Sequence, residues 1–207
     1  MPFQPENKGH LIINTELGNF NKLNRGVIDQ ELDKDTVNPG VNSFEKMFSG
    51  GYLGELFLRT LKKAVDEGLF EENTGKGLRA ISMLETEDMN DFLDSPETGN
   101  ILADICEKAE GESREILYYI ALNLVERSAK LAAAALSALC LKSGAGHSPS
   151  SPICITVEGS TFYKLKNLRD LTLFHIKQHL TDPKGIYTDI IAVEDATIKG
   201  AAIAGLS

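Results

Sequence analysis

The feature that most limits what this chain can fold into is a helical signal running without interruption from Glu112 to about Ser143. Ser113 stands where a capping hydroxyl belongs, and Gly144-Ala145-Gly146 ends the run. Its most apolar stretch, Leu131 to Leu141, contains a serine and five alanines. That stretch is too short to span a bilayer, and its small side chains allow a neighbouring element to come close. A helix of this length needs a partner along most of its face. The rest of the 207 residues, enough for one or two domains, must therefore wrap around it.

On the N-terminal side, Leu11-Ile12-Ile13-Asn14-Thr15 reads as a short buried strand, followed by a polar, turn-rich stretch to Asn38-Pro39-Gly40. Asn42-Ser43 can cap a helix from about Phe44 to Glu67, with apolar residues recurring at spacings of three and four. Gly50-Gly51 interrupts that pattern at a cost of roughly 1–2 kcal/mol relative to alanine, which a close backbone approach would offset. Shorter helices are expected around Asp88–Leu93 and Ile101–Lys108. Past the long helix, a His147–Pro152 linker leads to a strand at Ile153–Val157 and a Glu158-Gly159-Ser160 turn. A hairpin strand at Thr161–Leu165, a helix at Arg169–Leu180, a strand at Tyr187–Val193 and a helix from Ala196 complete the reading. Strands alternating with helices predict an α/β protein with a long helical insertion.

Three separated blocks carry a more specific signal. The first is Ile13-Asn14-Thr15-Glu16-Leu17-Gly18-Asn19-Phe20. The second is Asn38-Pro39-Gly40 with Phe44-Glu45-Lys46-Met47, Ser49-Gly50 and Tyr52-Leu53-Gly54-Glu55-Leu56. The third is Val157-Glu158-Gly159-Ser160 with Tyr163-Lys164, followed by Glu194-Asp195 and Lys199-Gly200-Ala201-Ala202. In order and spacing these resemble the hexokinase family, the second block almost residue for residue. The resemblance implies one domain over residues 1–207, corresponding to the C-terminal part of the large lobe of a ribonuclease-H-like, actin-like ATPase fold.

It also implies a site. Glu16 and Glu45 would be sugar-binding carboxylates, each able to accept two hydroxyls in charge-assisted bonds. A buried acceptor left unpaired by an epimer would supply discrimination. Without the resemblance, both read as a strand-end acid and an exposed helix-start glutamate. Asn14 and Thr15 would position Glu16. Gly50, Gly159 and Ser160 would meet the nucleotide, with Thr98, Asp195 and Thr197 as further contacts, although a tolerated helix glycine and an ordinary hairpin turn are the plainer readings. Glu158 stands where the family has aspartate, and Asp195-Ala196-Thr197-Ile198 where Asp-Gly-Ser-Gly is usual. A helix N-terminus facing the nucleotide survives these changes.

Composition narrows the partners. A net charge of -9 argues against non-specific nucleic-acid binding but not against a nucleotide held by local backbone N–H groups. Cys106, Cys140 and Cys154 are odd in number and form no metal-binding spacing, so buried free thiols and a reducing compartment are expected. His10 and His147 are isolated. His175 and His179 are four apart, a zinc-helix spacing, but Ile176 replaces the usual glutamate and no third ligand is evident. No metal site of the protein's own is expected, and no membrane segment. The N-terminus lacks a signal-peptide core, which makes the cytoplasm the expected location.

Hexokinases transfer the γ-phosphoryl of ATP to the 6-hydroxyl of a hexose, with Mg²⁺ on the nucleotide and an aspartate accepting the hydroxyl proton. Segments resembling the family's base-bearing Asn-Asp-Thr-Val-Gly, its Asp-Leu-Gly-Gly-Thr phosphate loop and its Ser-Phe-Pro sugar motif are not found in this sequence. The expectation is a fragment of an ATP-dependent hexokinase that supplies sugar-binding carboxylates and part of the ATP site. Its N-terminal counterpart would be missing, and the chain alone would be inactive. The alternative is a non-catalytic sugar- or nucleotide-binding module of hexokinase descent. The sequence leaves the hexose and the oligomeric state open.

Overall fold

The computed structural model describes residues 13–107, 109 and 111–206. His10 and the expected strand residues Leu11 and Ile12 lie outside them. In order, the elements are α1 (Val27–Asp35), α2 (Leu53–Asp66), α3 (Glu72–Ala80), α4 (Thr86–Asp94), α5 (Ile101–Cys106) and α6 (Ser113–Ser143). Then come β1 (Ile153–Thr156), α7 (Ser160–Lys164), α8 (Leu168–Ile176), a π turn (Lys177–Thr181), α9 (Asp182–Lys184), β2 (Thr188–Ile191) and α10 (Ala196–Leu206). Two 3-10 turns, Leu17–Asn19 and Glu45–Met47, flank α1.

α6 is the spine. At 1.5 Å per residue it is about 46 Å long, enough to reach across a small domain. Its first half buries Leu117, Ala121, Leu124, Val125 and Ala129 in the main core, against Phe57 and Leu61 of α2 and Met89 and Phe92 of α4. Its second half contributes Ala133 and Cys140 to a smaller core with Ile176, Leu180 and Ile186. The alanines do what their size allows: α8 lies closely along α6, with Thr172 and His175 buried at the contact. Gly144, at φ 65°, ends the helix in the left-handed conformation that suits glycine.

β1 and β2 pair in parallel, Ile153 opposite Thr188 and Thr156 opposite Ile191. Alternation along β1 turns Ile153 and Ile155 towards α6 and Cys154 outward. Cys154 is therefore an exposed free thiol, whereas Cys106 and Cys140 are buried as expected, and burial raises both of their thiol pKa values. The His147–Pro152 stretch is less of a separator than its composition implies. Ser148 and Ser151 form a bridge, and Gly146 accepts the Tyr187 N–H at 2.8 Å, tying the stretch to β2.

Other expectations need correction. Ile13–Thr15 is irregular, not strand. The helix expected from Phe44 is broken at Gly50-Gly51 into a 3-10 turn and α2. Thr161–Leu165 forms no hairpin strand, because α7 begins at Ser160 and β1 instead finds its partner in β2. α1 and α3, in stretches of weak periodicity, were not anticipated. The expected helix from Glu112 to Ser143, the helix near Arg169–Leu180, the strands near Ile153 and Tyr187 and the final helix are present.

Candidate functional site

Glu16 sits at φ 44°, ψ 43°, a left-handed conformation uncommon for a side chain larger than asparagine. Asn14 holds it there: its amide donates to Glu16 Oε1 at 2.6 Å, and its Oδ1 accepts the Glu16 N–H at 3.3 Å. The turn that follows packs on the second 3-10 turn. Gly18 accepts the Phe44 N–H at 3.1 Å, Asn19 Oδ1 accepts the Asn42 N–H at 3.0 Å, and the Phe20 and Phe44 rings meet edge-on. A Cβ at Gly18 would lie 3.3 Å from Glu45 Oε2, so this glycine faces the Glu45 carboxylate. The two glutamates named from sequence thus ride on turns in direct contact, Glu16 exposed and Glu45 half-buried.

The second turn is held from behind by α1. Asp33 accepts Lys46 Nζ at 2.7 Å, Arg25 Nη1 at 2.8 Å and the Gly40 N–H at 3.1 Å. Lys46 is 2% exposed and also donates to Thr36 Oγ1 and the Asn38 carbonyl, which uses all three ammonium protons. One turn earlier on α1, Asp29 pairs with both terminal nitrogens of Arg127, at 2.7 and 3.1 Å. Arg127 also donates to the Met47 carbonyl at 2.6 Å.

Burial pushes the Asp33 carboxyl up, but the hydrogen bonds from Lys46, Arg25 and Gly40, with the Lys46 charge, outweigh it and hold the pKa at about 2. A folded pKa below the unfolded 3.8 means stability present above about pH 4 and lost as pH falls towards 2. The amount is about 2 kcal/mol. Urea unfolding between pH 5 and pH 2 should show this extra acid loss in the native chain and not in Asp33→Asn. Parallel pH slopes for the two proteins would contradict the pairing.

Beyond Met47 the chain reaches a cavity of about 700 Å³ lined by Gly50, Gly51, Thr86, Asn90, Ser160 and Lys164, among others. A Cβ at Gly50 would fall 2.0 Å from Thr161 Oγ1 at the start of α7, so any side chain there would force Thr161 to turn or shift. Thr86 splices the break before α2, donating to the Gly50 carbonyl at 2.6 Å and accepting the Gly54 N–H at 3.1 Å. Two blocks more than a hundred residues apart in sequence therefore share one wall. Thr86, Asn90 and the acidic residues Glu55, Glu85, Glu87 and Asp91 of the same cavity were not anticipated as site residues. Among the described residues, the wall sets these four carboxylates against the single ammonium of Lys164. Of these charged residues, Glu55 and Lys164 lay inside motif blocks, though neither was named as a contact.

Gly159, at φ 130°, makes the sharp turn from β1 into α7, a conformation essentially reserved for glycine. Glu158 beside it reaches α10, where its carboxylate accepts both the N–H and the hydroxyl of Thr197. The helix N-terminus expected to face a nucleotide thus already has a carboxylate on its first turn. Asp195 precedes it at φ 53°. Thr98 lies in the exposed loop between α4 and α5, outside the cavity wall.

The histidine pair stacks, with rings 5.9 Å apart and nearly parallel. His175 Nε2 lies 2.9 Å from Glu126 Oε1. Burial raises the Glu126 pKa, but Lys130 and His175 more than reverse it and the net shift is downward. Among the described residues, no group of three or more His, Cys, Asp or Glu could hold a metal ion, and no helix is long and apolar enough to cross a membrane.

The structure is thus an α/β lobe built on one long helix, with two glutamates on touching turns and a glycine-walled cavity. The family model described as Hexokinase matches residues 2–207, and the chain belongs to the hexokinase family. Hexokinase-1 of Nicotiana tabacum is 33% identical over 146 residues, covering 66% of this chain and 29% of that protein. Hexokinase-2 of Arabidopsis thaliana is 28% identical over 214 residues, covering 96% of this chain and 42% of that protein. Among solved structures, a hexokinase from Schistosoma mansoni complexed with glucose matches with a TM-score of 0.72 at 24% identity, covering 91% of this chain and 44% of that one. The chain therefore spans less than half the length of each of these relatives. Its fold is the ribonuclease-H-like, actin-like ATPase fold of the hexokinases.

Proposed function

We propose that this chain supplies the hexose clamp and part of the ATP site of an ATP-dependent hexokinase acting on the 6-hydroxyl of glucose or a related hexose. The observation that carries the reading is the span from Glu45 to Gly50, which links both ends of the site. Glu45 lies against the turn bearing Glu16, and Gly50 lies in the cavity with Ser160.

Glu16 and Glu45 accept hydroxyls of the sugar, Glu45 with the greater force because it is partly withdrawn from water. A volume of about 700 Å³ suits a nucleotide, and Gly50, Gly51 and Ser160 present a wall that backbone and phosphate can approach closely, with Gly159 in the turn next to Ser160. Lys164 offers a cation there. Asp195 and Thr197 stand outside the cavity lining, at the start of α10, which Glu158 ties to the Gly159 turn. The acidic wall disfavours a bare triphosphate, so the form that enters is the nucleotide complexed with Mg²⁺. When bound, the ion neutralises charge on the phosphoryl oxygens. The proton acceptor belongs, by family resemblance, to a segment not found in this sequence, so the 207-residue chain alone is not expected to turn over.

Glucose-dependent ADP release should be measured on the protein as its gene encodes it and on the 207-residue chain. The expected result is glucose- and Mg²⁺-dependent release from a polypeptide that also carries the base-bearing segment, and none from the 207 residues alone. If calorimetry detects neither glucose nor an ATP analogue binding to any form, the reading is wrong. Binding without turnover in every form would favour a non-catalytic module.

A further inference from the structure

The family resemblance accounts for Glu16 and Glu45 but gives no role to the charges buried behind them. Asp29 and Asp33 are 4% and 6% exposed, and Lys46 is 2% exposed. Such groups are seldom buried without a reason beyond stability, because a buried ion pair contributes little net stability over apolar residues of the same volume. Their arrangement is directional. Asp29 and Asp33 stand one helical turn apart on α1, so both face the same side. Asp33 takes the Lys46 side chain, and Asp29 fixes Arg127, whose Nη2 donates to the Met47 carbonyl at 2.6 Å. The turn Glu45–Met47 is thereby gripped at the residue directly after Glu45 and again at its last carbonyl. A three-residue 3-10 turn has little hydrogen bonding of its own to define its orientation.

The anchors are themselves anchored. Asp29 Oδ2 also accepts the Gly26 N–H at 2.9 Å at the start of α1, and Asp33 also accepts the Gly40 N–H and Arg25. Arg127 projects from α6, the longest helix of the fold, whose first half is packed into the main core. The position of Glu45 is thus referred to α1 and α6 at once, rather than to the loop that carries it.

We propose that Asp29, Asp33, Lys46 and Arg127 are positioning residues that set the aim of the Glu45 carboxylate at the hexose, and through it the discrimination between hexose epimers. This rests on the reading of Glu45 as a sugar ligand. A carboxylate displaced by even an ångström loses alignment with the two hydroxyls it accepts, so affinity and selectivity fall together. Nucleotide affinity depends on the Gly50–Thr86–Thr161 contacts, which these ion pairs do not touch.

The test compares Arg127→Met, Arg127→Lys and the double variant Asp29→Leu/Arg127→Met in the protein as its gene encodes it, with Glu45→Gln as a control. Dissociation constants for glucose, for its 4-epimer and for an ATP analogue are measured by calorimetry. The double variant removes both charges at once and so keeps the fold where Arg127→Met strands a buried Asp29. The expected result is glucose affinity weakened about tenfold in Arg127→Met and in the double variant. The glucose-to-epimer ratio should shrink by a similar factor and ATP-analogue affinity should stay within twofold, with Arg127→Lys recovering part of the loss. Folded variants with native glucose affinity and native epimer ratio, alongside a weakened Glu45→Gln, would overturn this inference alone. Equal weakening of sugar and nucleotide would also overturn it, by marking the role as general stability. If Glu45→Gln itself binds glucose like the native protein, the clamp reading fails, and this inference with it.

Discussion

Glu45→Gln should lower kcat/KM for the hexose by about a hundredfold while leaving the nucleotide KM within about twofold. The size follows from what glutamine removes. The side chain keeps its length, but one carboxylate oxygen becomes an NH₂ donor and the negative charge is lost. A hydrogen bond to a charged group contributes about 1.5–3 kcal/mol, and a donor placed opposite a sugar hydroxyl must be accommodated as well. Two affected bonds together amount to about 3 kcal/mol, which is about a factor of one hundred. The same change at Glu16 should be milder, because Glu16 is exposed and water competes for its oxygens. Steady-state kinetics with hexose and ATP varied separately would decide the matter. A fall in kcat/KM of less than about threefold at Glu45, or an equal effect on the ATP KM, would contradict the clamp.

The sequence made the site's ends easier to read than its supports. The Phe44–Leu56 block is idiosyncratic enough to single out Glu45 and Gly50 as candidates. The α6 helix was legible from its length and glycine stop; the cap expected at Ser113 is not formed, since Glu112 takes the N-cap position without a side-chain bond and the Ser113 hydroxyl donates to Glu71. α1 was not. Only Ile28, Leu32 and Val27 mark its apolar side, and Val27 is exposed, while the face that does the packing carries Asp29 and Asp33. A helix that buries carboxylates against Lys46 and Arg127 looks polar to any hydrophobic-periodicity argument. The missed start of α7 has a related cause. Gly159-Ser160 fits a hairpin turn equally well, and what decides is a tertiary fact: β2 takes the pairing edge of β1. Thr86 and Asn90 were invisible for a simpler reason. They enter the cavity wall because α4 is folded onto the break at Gly50, and no local motif records a contact across 36 residues.

Gly54→Ala is expected to be the most destabilising single-atom-scale change in the chain, lowering the melting temperature by about 10 °C. Gly54 begins the buried face of α2 where α4 crosses it. An added Cβ would lie 2.3 Å from the Leu84 carbonyl oxygen, 2.4 Å from the Glu85 carbonyl carbon and 2.6 Å from Glu85 Cα. These are backbone atoms, so no side-chain rotation relieves the clash, and α2 and α4 must move apart. Overpacking of this kind costs about 1–3 kcal/mol and sometimes more. Separation also breaks the Thr86 link, in which one hydroxyl serves both the Gly54 N–H and the Gly50 carbonyl; each lost bond adds about 1 kcal/mol. The total of about 3–4 kcal/mol corresponds to roughly 10 °C in a chain of this size. Alanine's better helix propensity, about 1 kcal/mol, does not offset it. Thr86→Val separates the two contributions, since it removes the hydroxyl without inserting an atom, and should cost only about 1–2 kcal/mol. Circular-dichroism melts of the three proteins would read this order directly. A Gly54→Ala chain melting within about 2 °C of the native one would mean that α4 does not press on α2 as described. Because Gly50 hangs from the same threonine, both variants should also loosen the cavity wall. ATP-analogue affinity should then fall in step with the melting temperature, while hexose affinity, which on the proposed reading depends on Glu45 and its anchors on α1 and α6, should change far less.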